Sequence, residues 1–151
     1  MPVETGTFTV GVFKDVDWAR RGLDALRAKG FAAGSLSILV RDSPEAAALV
    51  EQILGERPEQ VDLVRVGQTL AIGPFVDVLD GPSHDLGRQG IAATARRAGF
   101  QAHDGQIFET LTGRGGVLVG VRDEPRAADA LTVLHAYGAG NAAIGAWHGR
   151  V

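Results

Sequence analysis

The two ends of this chain carry the same pattern. Near the start it reads Thr9-Val10-Gly11-Val12, an acid-rich turn, then a helical run Ala19, Leu23, Leu26, Ala28 stopped by Gly30. Near the finish it reads Leu118-Val119-Gly120-Val121, a second acid-rich turn, then Ala127, Leu131, Leu134, Ala136 stopped by Gly138. The helical positions match at an offset of 108 residues (Leu26 to Leu134) and the strand motifs at 109 (Gly11 to Gly120), which predicts one residue gained or lost in the intervening turn. A single strand-helix-strand unit cannot cover its own apolar face, so two copies are expected to share one sheet.

The remaining pattern fills in around that frame. Thr7 to Phe13 is β-rich, with Phe8, Val10 and Val12 on one face and Phe13 on the other. Asp15 or Asp17 offers a carboxylate to the free amides of a helix running to Lys29, which puts Ala19, Gly22, Leu23 and Leu26 on one stripe. Leu36 to Val40, apolar almost throughout, reads as a central strand covered on both faces. Ser43-Pro44-Glu45 is a helix start, and Gly55 closes the short helix that follows.

Val61 to Val66 and Thr69 to Ile72 read as strands joined by a tight turn at Gly67-Gln68, and Phe75 to Leu79 as one helical turn ended by Asp80-Gly81-Pro82. Asp85 to Arg97 and Asp104 to Leu111 read as helices. Gly116 to Val121, Pro125 to Tyr137 and Ala142 to Trp147 close the chain as strand, helix and strand. The expected fold is therefore α+β, a ferredoxin-like sandwich of two βαβ repeats (7–41 and 115–148) with a helical insertion (42–114), all in one domain of 151 residues.

Composition narrows the function classes. There is no Cys, so thiol catalysis, zinc thiolates and iron-sulfur clusters are out, and a reducing cytoplasm is the expected compartment. The net charge of −3 is spread without a basic stripe, which argues against nucleic acid. Residues 1–6 lack a signal peptide's charged start and apolar stretch, and no run of apolar residues is long enough to span a bilayer, so no membrane partner is expected. Arg outnumbers Lys thirteen to two but is scattered, which fits the codon bias of a GC-rich bacterial genome.

Val10-Gly11-Val12-Phe13 before an acid-flanked helix, Gly67 to Gly73-Pro74-Phe75 before another, and Arg114-Gly115-Gly116-Val117-Leu118-Val119-Gly120-Val121 together resemble the general stress protein 17M-like family of small bacterial proteins. The resemblance implies a stress-related or uncharacterised bacterial protein and transfers no catalytic residue. Many members of that family carry a long Gly- and Ala-rich apolar insertion between the repeats. This chain has a polar-containing stretch from Gly67 to Gly90 instead.

Candidate sites are few. His84-Asp85 and His103-Asp104 are a repeated polar dipeptide, and two imidazoles with two carboxylates have the chemistry to hold a divalent ion. Each pair also falls where a helix should begin, and capping with the helix dipole explains an Asp there without a metal. His135 belongs in the last turn of the second repeat's helix, and His148 lies past the last strand. Gly113-Arg114-Gly115-Gly116 leads into a strand, whereas a phosphate loop opens onto a helix. Gly138 to Asn141 reads as a helix stop, with Asn141 able to take positive φ. No Gly-x-Ser-x-Gly elbow occurs. Trp18 is expected in the core and Trp147 at an interface.

No catalytic residue and no cofactor are therefore assigned. Sheet edges and a sheet face left bare by the repeat helices must be hidden by the insertion or by a second subunit, which favours a homodimer. The leading expectation is a non-enzymatic, cytoplasmic, stress-associated or regulatory module working through self-association or a protein partner. The first alternative is a small-ligand sensor with its site between the repeats and the 67–90 segment as lid. The second is a metal-dependent hydrolase using His84, Asp85, His103 and Asp104.

Overall fold

A computed structural model describes residues 6–147, the side chains of Glu124, Ala146 and Trp147 excepted. Six strands, β1 (Gly6–Phe13), β2 (Leu36–Arg41), β3 (Glu59–Leu63), β4 (Gly67–Ile72), β5 (Val117–Arg122) and β6 (Ala143–Trp147), form one sheet in the order β3-β4-β2-β5-β1-β6. Every neighbouring pair is antiparallel. Six helices pack on it: α1 (Val16–Ala28), α2 (Pro44–Leu54), α3 (Pro74–Asp80), α4 (Leu86–Arg97), α5 (Ala102–Gly113) and α6 (Ala127–Ala136). The protein is thus a mixed α+β fold.

Side-chain alternation along the strands separates two cores. Phe13, Ile38, Val119 and Val121 point to one face, where Leu23 and Leu26 of α1, Leu49 of α2 and Leu134 of α6 cover them. Phe8, Val10, Val12, Leu39 and Leu118 point to the other, against Phe75 of α3, Ile91 of α4 and Phe108 of α5. A strand buried on both sides must be apolar at odd and even positions alike, and β2 is buried at every residue but its last. The insertion supplies α3, α4 and α5, so it covers the face that the outer helices leave bare. A second subunit is not needed to hide that face.

The structure revises the strand offset. Residues paired across β1 and β5 share a face, and Gly11 lies opposite Val119 while Gly120 lies opposite Val10. A Cβ on Gly11 would meet Ala142 and Ala139 on the α6 side, whereas one on Gly120 would meet Phe75 on the insertion side. Residues 109 apart therefore face opposite ways. Residues 108 apart face the same way: Val10 with Leu118, and Phe13 with Val121. One residue of slip inverts a strand's facing, so the literal Val-Gly-Val match is out of phase and no residue was lost in the turn.

Local chemistry fixes most element ends as expected. The Asp15 carboxylate accepts from Trp18 N–H at 3.0 Å, and Ser43 Oγ accepts from Ala46 N–H at 3.0 Å. Gly30, at φ 91°, turns the chain out of α1 while Phe31 N–H returns to Leu26 C=O. Several features differ. The β3–β4 turn falls at residues 64–66, with Arg65 at φ 67°, and Gly67 already belongs to β4. Gly90 (φ 91°) breaks α4 with a kink that the helical periodicity did not reveal. The last helix begins at Ala127 rather than Pro125, after a short 3₁₀ turn at Glu124–Arg126.

Candidate functional site

The four metal candidates do not converge. The His84 ring nitrogen Nδ1 is 2.8 Å from Asp80 Oδ2, one helical turn back, and the residue itself takes φ 53°. Asp85 turns elsewhere: its carboxylate accepts from Arg97 and from Arg88, both at 2.6 Å. The hydrogen bond from Arg97 holds this carboxyl below the usual range. Burial opposes that shift, and the charges of Arg97 and Arg88 add to it. His103 is exposed and lines a shallow hollow of about 220 Å³ beside Ile107 and Thr110. Among the described residues, no three His, Asp or Glu side chains are grouped as metal ligands would be.

The capping explanation for the same residues needs correction. Asp85 already has helical φ and ψ and makes no cap bond, and Leu86 N–H donates to Asp80 Oδ1 instead at 3.3 Å. Gln101 is the cap position of α5, which leaves Asp104 inside the first turn, where the helix dipole favours a carboxylate. His135 sits exposed in the last turn of α6, as expected. Trp18, predicted in the core, is 38% exposed, with the Arg21 guanidinium 5.0 Å over its ring. The Trp147 side chain and His148 lie outside the described residues.

Among the described residues lie two hollows large enough for a small ligand. One, of about 440 Å³, lies between the end of α2 and the start of α3, lined by Leu54, Glu56, Arg57, Glu59, Gly73 and Asp77. Its acids outnumber its cation, and burial, then Glu59 and Asp80, push the Asp77 carboxyl upward. The other, of about 350 Å³, opens where β1 ends, β5 begins and α6 turns back toward β6. Its apolar wall includes Val12 and Leu111, its rim Lys14, Arg114 and Asn141. Residues from the first repeat, the end of the insertion and the second repeat meet here.

Asn141 shapes this second hollow by a means the sequence did not announce. Val12 N–H donates to its Oδ1 at 2.8 Å, and its Nδ2 donates to Val12 C=O at 2.9 Å. The β1–β6 register, continued by two residues, sets Asn141 opposite Val12, so the side-chain amide stands in for the main chain of a strand that has already ended. It does not take the positive φ open to it, since among the described non-glycine residues only Arg65 and His84 have one. Lys14 and Arg114 are exposed, and neither forms an ion pair among the described residues. Among the described residues the lining contains no carboxylate and no imidazole. The segment expected to lid such a site, 67–90, lines the other hollow instead.

Sequence reasoning also missed the best-formed polar cluster. Arg65 forks onto Glu109, Nε to Oε2 at 2.9 Å and Nη2 to Oε1 at 3.2 Å, and Nη2 also donates to Gln89 C=O at 2.9 Å. Ala92 N–H donates to the same Glu109 at 3.3 Å. The cluster ties the β3–β4 turn to the kink of α4. Its partners are 44 residues apart, and Arg65 sits in a Val-Arg-Val run that reads as plain strand. No family model, curated protein or solved structure matches this chain. No helix among the described residues is long and apolar enough to cross a membrane.

Proposed function

We propose that this protein is a non-enzymatic sensor that takes a small anionic ligand in the hollow between its two terminal units. One observation carries the reading: Lys14 and Arg114 line one hollow of about 350 Å³ with no acid among the described residues to neutralise them. That volume is within the range of small-molecule sites, and an apolar wall with few polar groups is their usual make-up. A carboxylate or phosphate on an otherwise apolar body matches such a lining. The strand order β2-β5-β1-β6 supports reading the terminal units as two βαβ repeats in a ferredoxin-like sandwich. A stress-associated role rests on the Gly and Val motifs alone, and the ligand proposal does not depend on it.

A thermal-shift panel of inorganic phosphate, mono- and dicarboxylates and nucleotides tests the reading. One anion class is expected to raise the melting temperature in proportion to the logarithm of its concentration. The shift is expected to disappear in the Lys14→Gln, Arg114→Gln double variant, whose exposed positions leave the core untouched. Absence of any shift across the panel, or an equal shift in the double variant, overturns it.

A further inference from the structure

The sheet has two outer strands, and they are finished differently. On β3, Glu59, Gln60 and Asp62 are exposed, and its end is closed by the first turn of α4, where Val64 N–H donates to Gly87 C=O at 3.0 Å. A Cβ on Gly87 would stand 3.1 Å from Asp62 C=O, so that segment lies directly against the strand. Charge and a covering segment are the usual protections of an edge. Among the described residues β6 has neither: it reads Ala143-Ile144-Gly145-Ala146-Trp147, without a charge or a proline, and Ile144 is 45% exposed.

The direction of the backbone groups on β6 follows from Asn141. Val12 spends both its N–H and its C=O on that residue, so even-numbered residues of β1 bond toward β6. In an antiparallel ladder this role alternates, and the register pairs Val10 with Ala143 and Phe8 with Gly145. Residues 143, 145 and 147 therefore bond inward. Ile144 and Ala146 turn their N–H and C=O groups outward, one residue either side of Gly145.

We infer that β6 pairs with β6 of a second copy of this chain, antiparallel about Gly145, so that the two sheets run on as one. About that centre Ile144 of each copy meets Ala146 of the other, and every outward donor faces an outward acceptor. Self-pairing brings no like charges together because the strand has none. It is also isologous, so it closes at two copies rather than growing into a fibre. A five-residue edge buries far less than the roughly 1,200–2,000 Å² of a standard interface, so the dimer is a weak one that forms with rising concentration. This association is independent of the ligand hollow.

Two measurements test it. Sedimentation equilibrium from about 1 μM to about 1 mM, the range where weak interfaces respond, is expected to show monomer passing to dimer and stopping there. Ile144→Pro removes an outward donor without touching the inward ladder, and Ile144→Lys places a charge on each copy at the seam. Both are expected to remain monomeric throughout, with circular dichroism reporting their fold. Amide exchange of the unaltered protein supplies a readout that needs no variant: Ile144 and Ala146 become protected as concentration rises, while Ala143 and Gly145 are protected throughout. A monomer at every concentration, a dimer that survives both substitutions, or exchange at 144 and 146 that ignores concentration overturns the inference.

Discussion

The helical layers on the two faces of the sheet are held by different means. On the face of α1, α2 and α6 the buried contacts are aliphatic and aromatic, and α1 and α2 are closed at their starts by Asp15 and Ser43. The layer of α3, α4 and α5 has its own chain of rings, with Phe8–Phe75, Phe75–Phe100 and Phe100–Phe108 centroids 5.1, 5.7 and 5.5 Å apart. It also contains Arg65 and His84 in left-handed backbone, the Gly90 kink, and two carboxylates that anchor arginines. Regular helices satisfy their own amides and need only apolar cover. Irregular backbone leaves donors and carbonyls to be met by side chains, so Glu109 receives Ala92 N–H and Arg97 reaches Leu79 C=O at 2.6 Å.

The largest effect is expected where the second layer meets the sheet. Phe75 is fully buried, touches two other rings and has its N–H held by Ser37 Oγ at 2.8 Å. Phe75→Ala is expected to cost about 3–5 kcal/mol in urea unfolding. A loss below about 1 kcal/mol, the level of an isolated surface change, would mean that the aromatic chain contributes little there.

A smaller effect distinguishes the layers by acid. Asp85 binds its proton less tightly folded than unfolded, so its contribution to stability is complete above the ordinary aspartate value of about 3.9 and fades as pH falls through the lower folded one. The stability gap between the natural chain and Asp85→Asn is expected to be level from about pH 5 to 7 and to narrow below about pH 4. A gap unchanged into acid would show that Asp85 acts by shape rather than charge. The smallest effect belongs to the first layer: Asp15→Ala removes the cap of α1 and is expected to cost about 1 kcal/mol, with the same denaturant slope.

What could be read from the sequence follows the same division. The split of Phe8, Val10 and Val12 from Phe13 and the stripe Ala19, Gly22, Leu23, Leu26 are periodic signals, and each core residue named there is buried on the expected side. Ser43-Pro44-Glu45 and Gly55 are local stop and start chemistry, and both ends of α2 fall there. Arg65 with Glu109, Asp85 with Arg97 and Asn141 with Val12 are pairings between elements, which no local pattern encodes. The phase of the repeat was legible only in the helices. A Val-Gly-Val run matches itself equally well one residue out of step, whereas apolar positions three and four apart do not.

Asn141 closes the end of β1 with a side chain, and that makes the closure chemically perishable. Hydrolysis of its amide to a carboxylate would exchange the donor facing Val12 C=O for a second acceptor, setting two oxygens against each other while the bond from Val12 N–H survives. Ageing at one atom would thus loosen the seam between the two halves from its open end, beside Lys14 and Arg114, and leave the buried layers as they were.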